Sequence, residues 1–194
     1  IVKSLIDSGK IHRVNSEWIV SDDVRNLEVP ATVQGILASR IDQLNDHDKL
    51  VLQYASIIGR RFSDALLAKA MGVEGTLYES LKRLRSKELI FEASSENDEI
   101  VYIFNHALAQ DVTYQSILLK TRKVLHAQVA SAIEELFDTK AENAPTEKLE
   151  SLAFHYFEAS IADKAVFYLS RSAQRMSESF NNAGAISQYL KAIQ

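Results

Sequence analysis

The chain has 194 residues, a formal net charge of -4, 46% hydrophobic residues and 25% charged residues, proportions that are ordinary for a globular protein. Only 6 glycines and 2 prolines are present, which favours helices and excludes sandwich, collagen-like and disordered chains. The absence of cysteine excludes disulfides and favours a cytoplasmic location, and no apolar run approaches the roughly 20 residues of a membrane span.

The first 28 residues contain a helical stripe and a short hairpin. Apolar residues recur at helical spacing up to Ser8, and Gly9 suits the left-handed conformation that ends many helices. Residues 10–14 and 17–20 alternate in polarity, which predicts two paired strands. Because the chain opens inside a helical pattern without an initiator methionine, we expect it to be part of a longer protein.

Four further helices and a wing are predicted next. Pro30 suits the first turn of a helix, and Asn45 is placed to cap the following helix. A third helix runs from Ser63 to about Met71 and is stopped by Gly72. Thr76 and Glu79 have the spacing of a capping box for another helix. Strand-like runs at 90–93 and 100–104 then predict a two-stranded wing, the order of a winged-helix domain.

After Asn105 every segment has a helical pattern. Asp and Asn residues are placed to cap the last two helices, and small alanines among large aromatics in those helices are typical of tetratricopeptide-like (TPR-like) hairpins. The predicted helices are 118–137, 146–159, 163–179 and 182–193. The predicted aromatic core between them is Tyr156, Phe157, Phe167 and Tyr168. The predicted fold is mainly α: a winged-helix domain with a small β-hairpin wing, followed by TPR-like α-helical hairpins.

Several segments resemble the signal-transduction ATPases of the STAND class, in which an AAA-like ATPase module precedes a winged helix and helical repeats. The most specific is Phe104-Asn105-His106-Ala107-Leu108 with Asp111 and Tyr114. Other matching segments are Val29-Pro30-Ala31-Thr32-Val33-Gln34, Val51-Leu52-Gln53-Tyr54-Ala55 and Arg122-Lys123-Val124-Leu125-His126. The resemblance implies the end of an ATPase lid at 1–28, a winged helix at 29–117 and an incomplete TPR-like arm at 118–194.

The resemblance also implies a parent protein that binds ATP or ADP with Mg²⁺. Its effector is most often an adenylate or guanylate cyclase domain, and less often a kinase or a LuxR-type DNA-binding domain. The chain itself has no Walker A motif, and its dispersed glycines form no phosphate cradle. We therefore expect no enzyme activity, catalytic residue or cofactor within these 194 residues, nor a metal site, because the five histidines lack metal-ligand spacing.

His106 is the candidate nucleotide sensor. In related switch ATPases a winged-helix histidine contacts the β-phosphate of ADP and holds a closed state. An imidazole at a helix start suits this role, because it can donate to a phosphate where the helix dipole adds positive potential. The alternative is that His106 caps the helix or packs between the wing and the helix.

Two basic groups are candidate interaction faces. Lys82, Arg83, Arg85 and Lys87 lie on the helix that contacts DNA in a free winged helix, but acidic residues in the wing favour a solvated face or an internal contact. Lys120, Arg122 and Lys123 open a helix that ends in Glu134, Glu135 and Asp138, an order that opposes the helix dipole. This order indicates either an acidic partner surface or one continuous helix through 105–137.

Three functions remain open at this point. The first is a regulatory arm that contacts its own ATPase domain and receives a protein or ligand through the repeats, with no membrane partner. The second is a DNA-binding transcription regulator, which the negative net charge disfavours. The third is enzymatic at the level of the parent, with residues 1–28 as the remnant of an ATPase.

Overall fold

The computed structural model describes residues 11–14, 17–20, 31–73, 77–96, 99–137 and 144–193. The chain divides into two compact units, Ile1–Ile36 and Leu37–Gln194. In the first unit, strands β1 (Ile11–Val14) and β2 (Glu17–Val20) pair antiparallel. The predicted hairpin is therefore confirmed, whereas the predicted helix up to Ser8 lies outside the described residues.

The next elements are helical except for three strands. They are α1 (Ala31–Asp42), which spans the limit of the two units, α2 (Asp46–Ile58), β3 (Arg61–Ser63), α3 (Asp64–Met71), α4 (Leu77–Ser86), β4 (Ile90–Glu96) and β5 (Glu99–Phe104). Asn45 caps α2 as predicted, because its side chain accepts a hydrogen bond from the backbone N–H of Asp48 at 2.8 Å. Gly72 ends α3 in the left-handed conformation, with φ of 64°. Thr76 lies outside the described residues.

The sheet of the second unit has three antiparallel strands in the order β3-β5-β4. The two strands of the predicted wing are confirmed as the antiparallel pair β4 and β5, whereas the third strand, β3, was not predicted. Strand β3 has only three residues, too few for an alternating pattern to stand out, and it forms because Phe62 pairs with Tyr102 across the sheet. The Phe62 ring lies 5.9 Å from that of Tyr102 and 5.8 Å from that of Phe104, so β3 is fixed by aromatic packing.

Five helices complete the described chain: α5 (Ala107–Ser116), α6 (Leu119–Leu136), α7 (Thr146–Glu158), α8 (Ala162–Glu178) and α9 (Asn182–Ala192). Ile117 and Leu118 are extended, with ψ of 129° and 142°, and they separate α5 from α6. The alternative of one continuous helix through 105–137 is therefore wrong. Helix α9 is capped by Asn181, whereas Asp163 lies in the first turn of α8 and does not cap it.

The fold is mainly α with a small antiparallel sheet, and the second unit has one main core. Helix α8 packs against α7 and α9, α7 packs against α6, and α6 packs against α2 and α3. Buried apolar side chains from Leu37 to Leu169 form a single cluster. The segments on either side of the predicted boundary at 118 therefore share this core.

The aromatic residues of the last helices divide between interior and surface. Tyr156 and Tyr168 are buried and stacked, with ring centroids 5.7 Å apart. Phe157 and Phe167 are 45% and 49% exposed, so the prediction that they are core residues was wrong. In the described part of the chain, none of the helices combines the length and apolar character that a membrane crossing requires.

Candidate functional site

His106 lies at the junction of β5 and α5, with its side chain exposed to solvent. Its backbone is extended at the N-cap position, with φ of -128° and ψ of 134°, and its ring makes no capping hydrogen bond. The neighbouring Asn105 fixes this corner, because its side-chain amide donates to the carbonyl of Glu88 at 3.1 Å. The imidazole thus stands on a fixed backbone without capping the helix and is open to contact from outside.

Arg83, one of the four basic residues predicted to form a face, is bound to a buried acid. Its guanidinium donates two hydrogen bonds to the carboxylate of Asp48, from Nε at 2.8 Å and from Nη2 at 2.7 Å. Asp48 is only 1% exposed, and the side-chain amide of Asn45 donates to the same carboxylate at 2.7 Å. These bonds, led by those of Arg83, hold the pKa of Asp48 at about 2 against the opposing effect of burial.

The other three residues of that face differ in their surroundings. Arg85 forms an ion pair with Glu92 on β4 at 2.7 Å. Lys82 and Lys87 are exposed, and the backbone carbonyl of Lys87 accepts a hydrogen bond from Arg40. Arginine is the residue type that suits bidentate phosphate contacts best, and both arginines of this face already form ion pairs within the chain.

The second basic group is divided in the same way. Arg122 stacks over the ring of Tyr114, with its guanidinium carbon 4.6 Å from the ring centroid, and its Nε donates to the carbonyl of Ile117 at 2.9 Å. Arg122 thus holds the bend between α5 and α6, where Ile117 has no following turn to satisfy its carbonyl. Lys120 and Lys123 remain exposed beside the exposed side chains of Leu118 and Leu119.

The acids at the far end of α6 are also used for packing between helices. Glu134 accepts hydrogen bonds from Lys164 and from the hydroxyl of Tyr168, both at 2.6 Å. Glu135 pairs with Lys69 of α3 at 2.6 Å. These contacts offset the unfavourable position of the acids in the helix dipole. Asp138 lies outside the described residues.

A buried histidine pair that sequence reasoning missed lies where α5, α6 and α7 meet. The Nδ1 atoms of His126 and His155 are 2.9 Å apart, and the hydroxyl of Tyr114 lies 3.2 Å from Nε2 of His126. His126 and His155 are 1% and 2% exposed. A direct contact between the two Nδ1 atoms requires one ring to donate and the other to accept, so the two tautomers are linked. We call Tyr114, Arg122, His126 and His155 the junction cluster.

Burial keeps both histidines of the junction cluster neutral. It lowers the pKa of His126 to about 4, with a further lowering from the positive charge of Arg122. Burial likewise lowers the pKa of His155 to about 3, and the neighbouring His126 adds to this effect. The sequence had assigned His155 only a packed position, and its separation from His126 by 29 residues gives no local signal of a pair.

Comparisons with protein-family models, with curated proteins and with solved structures found no match. Across the described ranges, no three His, Cys, Asp or Glu side chains are grouped as metal ligands would be. The described side chains of interest are the exposed imidazole of His106, the arginines held in intramolecular contacts and the buried histidine pair.

Proposed function

We propose that this chain is the non-catalytic regulatory arm of a multidomain signalling ATPase of the STAND class. In this proposal residues 29–117 act as a winged helix, residues 118–194 act as the start of a TPR-like arm, and the parent binds ATP or ADP with Mg²⁺. The arm couples the nucleotide state to an effector domain, for which a nucleotide cyclase is the leading candidate. The alternating pattern of α7, α8 and α9, in which the middle helix packs on both neighbours, supports the TPR-like assignment.

The observation that carries the proposal is the buried connection between the two parts of the arm. The junction cluster joins α5 and α6 to α7, and the hydroxyl of Tyr54 on α2 donates to Gln128 on α6 at 2.8 Å. The amide of Gln110 on α5 donates to the carbonyl of Ser56 on α2 at 3.2 Å. A displacement of the helical arm would therefore be transmitted to the helices that hold His106, because packed elements move as units.

His106 is the residue through which the arm would sense the nucleotide. The exposed imidazole at the start of α5 can donate to a phosphate presented by another domain, at a helix N-terminus where the helix dipole adds positive potential. Such a contact would favour one of two states of the parent, and a ligand on the arm would favour the other. A two-state switch of this kind requires each ligand to bind the two states with different affinity.

The internal ion pairs of α4 favour this function over DNA binding. Arg83 and Arg85 are held by Asp48 and Glu92, which leaves Lys82 on this helix and Lys87 just after it as the exposed basic residues outside these two pairs. Two lysines give a weak, salt-sensitive attraction to phosphates and no bidentate contact to a base. A transcription regulator that used this helix would first have to break both pairs.

Retention of ADP by the intact parent protein tests the proposal. We expect His106→Ala to release bound ADP faster and to raise basal effector activity, with a loss of about 1.5–3 kcal/mol for one charge-assisted hydrogen bond. Gln115→Ala, an exposed change at the other end of α5, is the matched control. Purified protein would be loaded with labelled ADP, and the label retained would be followed during a chase with unlabelled nucleotide.

Two results would argue against the proposal. One is ADP retention in the His106→Ala protein equal to that of the Gln115→Ala control. The other is tight binding of the 194-residue chain to random DNA duplex at low salt that is lost on changing Lys82 and Lys87 to Ala. The second result would favour the DNA-binding function.

A further inference from the structure

A cleft of about 310 Å³ lies between α7 and α9, both of which pack against α8. Its base contains the buried side chains of Ala153 and Leu169. Phe154 and Phe157 stand on its α7 wall, 51% and 45% exposed. Large aromatic side chains left open at a concave surface are typical of binding sites, because burying them on binding is favourable.

The acidic and basic groups of the cleft lie on opposite walls. Glu150 and Glu158 lie one helical turn before and one turn after Phe154 on α7, whereas Gln188 and Lys191 lie on α9. Within the described residues, none of the three charged groups takes part in a salt bridge. The α7 wall therefore presents two carboxylates beside two aromatic rings, and carboxylates outnumber ammonium groups in the cleft by two to one.

We propose that this cleft binds an extended peptide segment of a partner protein in which apolar side chains alternate with basic ones. An apolar side chain would fill the space over Leu169 between Phe154 and Phe157. A flanking Arg or Lys would reach Glu150 or Glu158 and contact a phenylalanine ring face, which attracts cations. Lys191 on the opposite wall would exclude a second cation there and set the direction of the segment. This inference rests on the proposed function, since it assigns a partner chemistry to the regulatory arm.

Three synthetic peptides test the inference on the 194-residue chain. They are fluorescein-labelled, acetylated and amidated hexapeptides made of three Leu-Arg, three Leu-Glu or three Ser-Arg repeats. Fluorescence anisotropy would give the Kd of each peptide. We expect the Leu-Arg peptide to bind at least tenfold more tightly than the other two, because it alone supplies both the apolar and the cationic contact.

Variants of the cleft separate specific binding from general attraction to an acidic protein. The double change Glu150→Gln and Glu158→Gln should weaken the Leu-Arg peptide roughly fivefold, as expected for two partly exposed ion pairs. Glu147→Gln removes an exposed carboxylate from α7 outside the cleft and should leave the Kd unchanged. Phe157→Ser should weaken both leucine-containing peptides, and because Phe157 is already half-exposed the helix should remain folded, which circular dichroism would check.

Equal binding of the Leu-Arg and Leu-Glu peptides would overturn the inference. So would an effect of Glu147→Gln as large as that of the double change. The nucleotide experiment on His106 involves neither the cleft nor a peptide, and the peptide experiment involves no nucleotide. If the peptides do not bind as expected, the ADP experiment still tests the proposed function. If the change at His106 does not alter ADP retention, the peptide experiment still tests the cleft.

Discussion

At the scale of single residues, the contact between Asp48 and Arg83 shows how a partly exposed arginine stabilises a buried carboxylate. A buried carboxylate is costly unless its oxygens are satisfied, and Asp48 receives hydrogen bonds from Arg83 and from Asn45. Arg83 is itself 45% exposed, so its charge remains partly hydrated while it serves the buried acid. The pair therefore joins α4 to the start of α2.

We predict that removal of either partner of this pair destabilises the protein more than removal of a neighbouring charge. Asp48→Ala should lower the free energy of unfolding by roughly 2–3 kcal/mol, because it removes several charge-assisted hydrogen bonds. Arg83→Ala should lower it clearly as well, because the buried carboxylate then loses its main donor. Lys82→Ala, an adjacent exposed lysine on α4, is the control. Urea unfolding at neutral pH measures all three, and an Arg83→Ala midpoint equal to that of Lys82→Ala would contradict the prediction.

Sequence reasoning could identify the residues of this region but not their partners. Asn45 was predictable as a cap because capping is local, acting over three residues. The partner of Arg83 lies 35 residues away, so a run of basic residues on one helix looks like a free face until the fold brings an acid beside it. The exposure of His106 could not be predicted from the sequence either, because a histidine at a helix start can equally cap the helix, pack against a neighbour or contact a phosphate.

At the scale of elements, the junction cluster determines how α5, α6 and α7 respond to acid. Both histidines are neutral in the folded protein, since burial lowers their pKa values to about 4 and about 3. In the unfolded chain a histidine has a pKa near 6.5. Below that value the unfolded state binds more protons than the folded state, so stability is complete above about pH 6.5 and is lost as the pH falls towards 4.

We predict a loss of about 2 kcal/mol for each of the two histidines between pH 7 and pH 5. Replacing His126 and His155 together by Leu should remove most of this pH dependence, whatever it does to stability at pH 7. Val124→Ala, an exposed change on α6 at a side chain that does not titrate, is the control and should leave the pH dependence as it is in the unmodified chain. Urea unfolding at the two pH values provides the comparison.

The pH range of this experiment separates the histidines from Asp48. The pKa of Asp48 is lowered to about 2, so its contribution is complete above the unfolded value of about 3.8 and is lost only below it. Unchanged acid sensitivity in the double histidine variant between pH 7 and pH 5 would contradict the assignment to the junction cluster.

Helices were largely predictable from the sequence, and short strands were not. Periodic apolar residues and caps placed most helix ends within one or two residues, as for α6, predicted at 118–137 and observed at Leu119–Leu136. Strand β3 was missed, and the sequence left open whether the chain breaks before 118 or continues as one helix, because each feature depends on a specific side-chain contact. Phe62 pairs with Tyr102, and Arg122 folds back on the carbonyl of Ile117.

At the scale of the whole molecule, the predicted segments 29–117 and 118–194 share the single core of the second unit, so we expect them to unfold together. Buried side chains of α2, α3 and α6 belong to the same cluster as those of α7 and α8. Lys69 on α3 pairs with Glu135 on α6, and Tyr54 on α2 bonds to Gln128. Even if the segments on either side of 118 have different functions in the parent, they would therefore not unfold independently.

We predict that a cavity made in α7 weakens α2 as much as it weakens α7 itself. Leu152 is fully buried, at 0% exposure, and Leu152→Ala should cost about 3 kcal/mol, which is about a hundredfold in the unfolding equilibrium. If the second unit unfolds cooperatively, the most protected amides of α2 and of α7 should both exchange about a hundredfold faster. Val124→Ala, at a position 53% exposed on α6, is the control and should change neither. Hydrogen exchange resolved by mass spectrometry measures both helices in one experiment. Faster exchange confined to α7, with α2 unchanged, would show that the arm opens independently and would remove the coupling on which a signal passing from the arm to His106 depends.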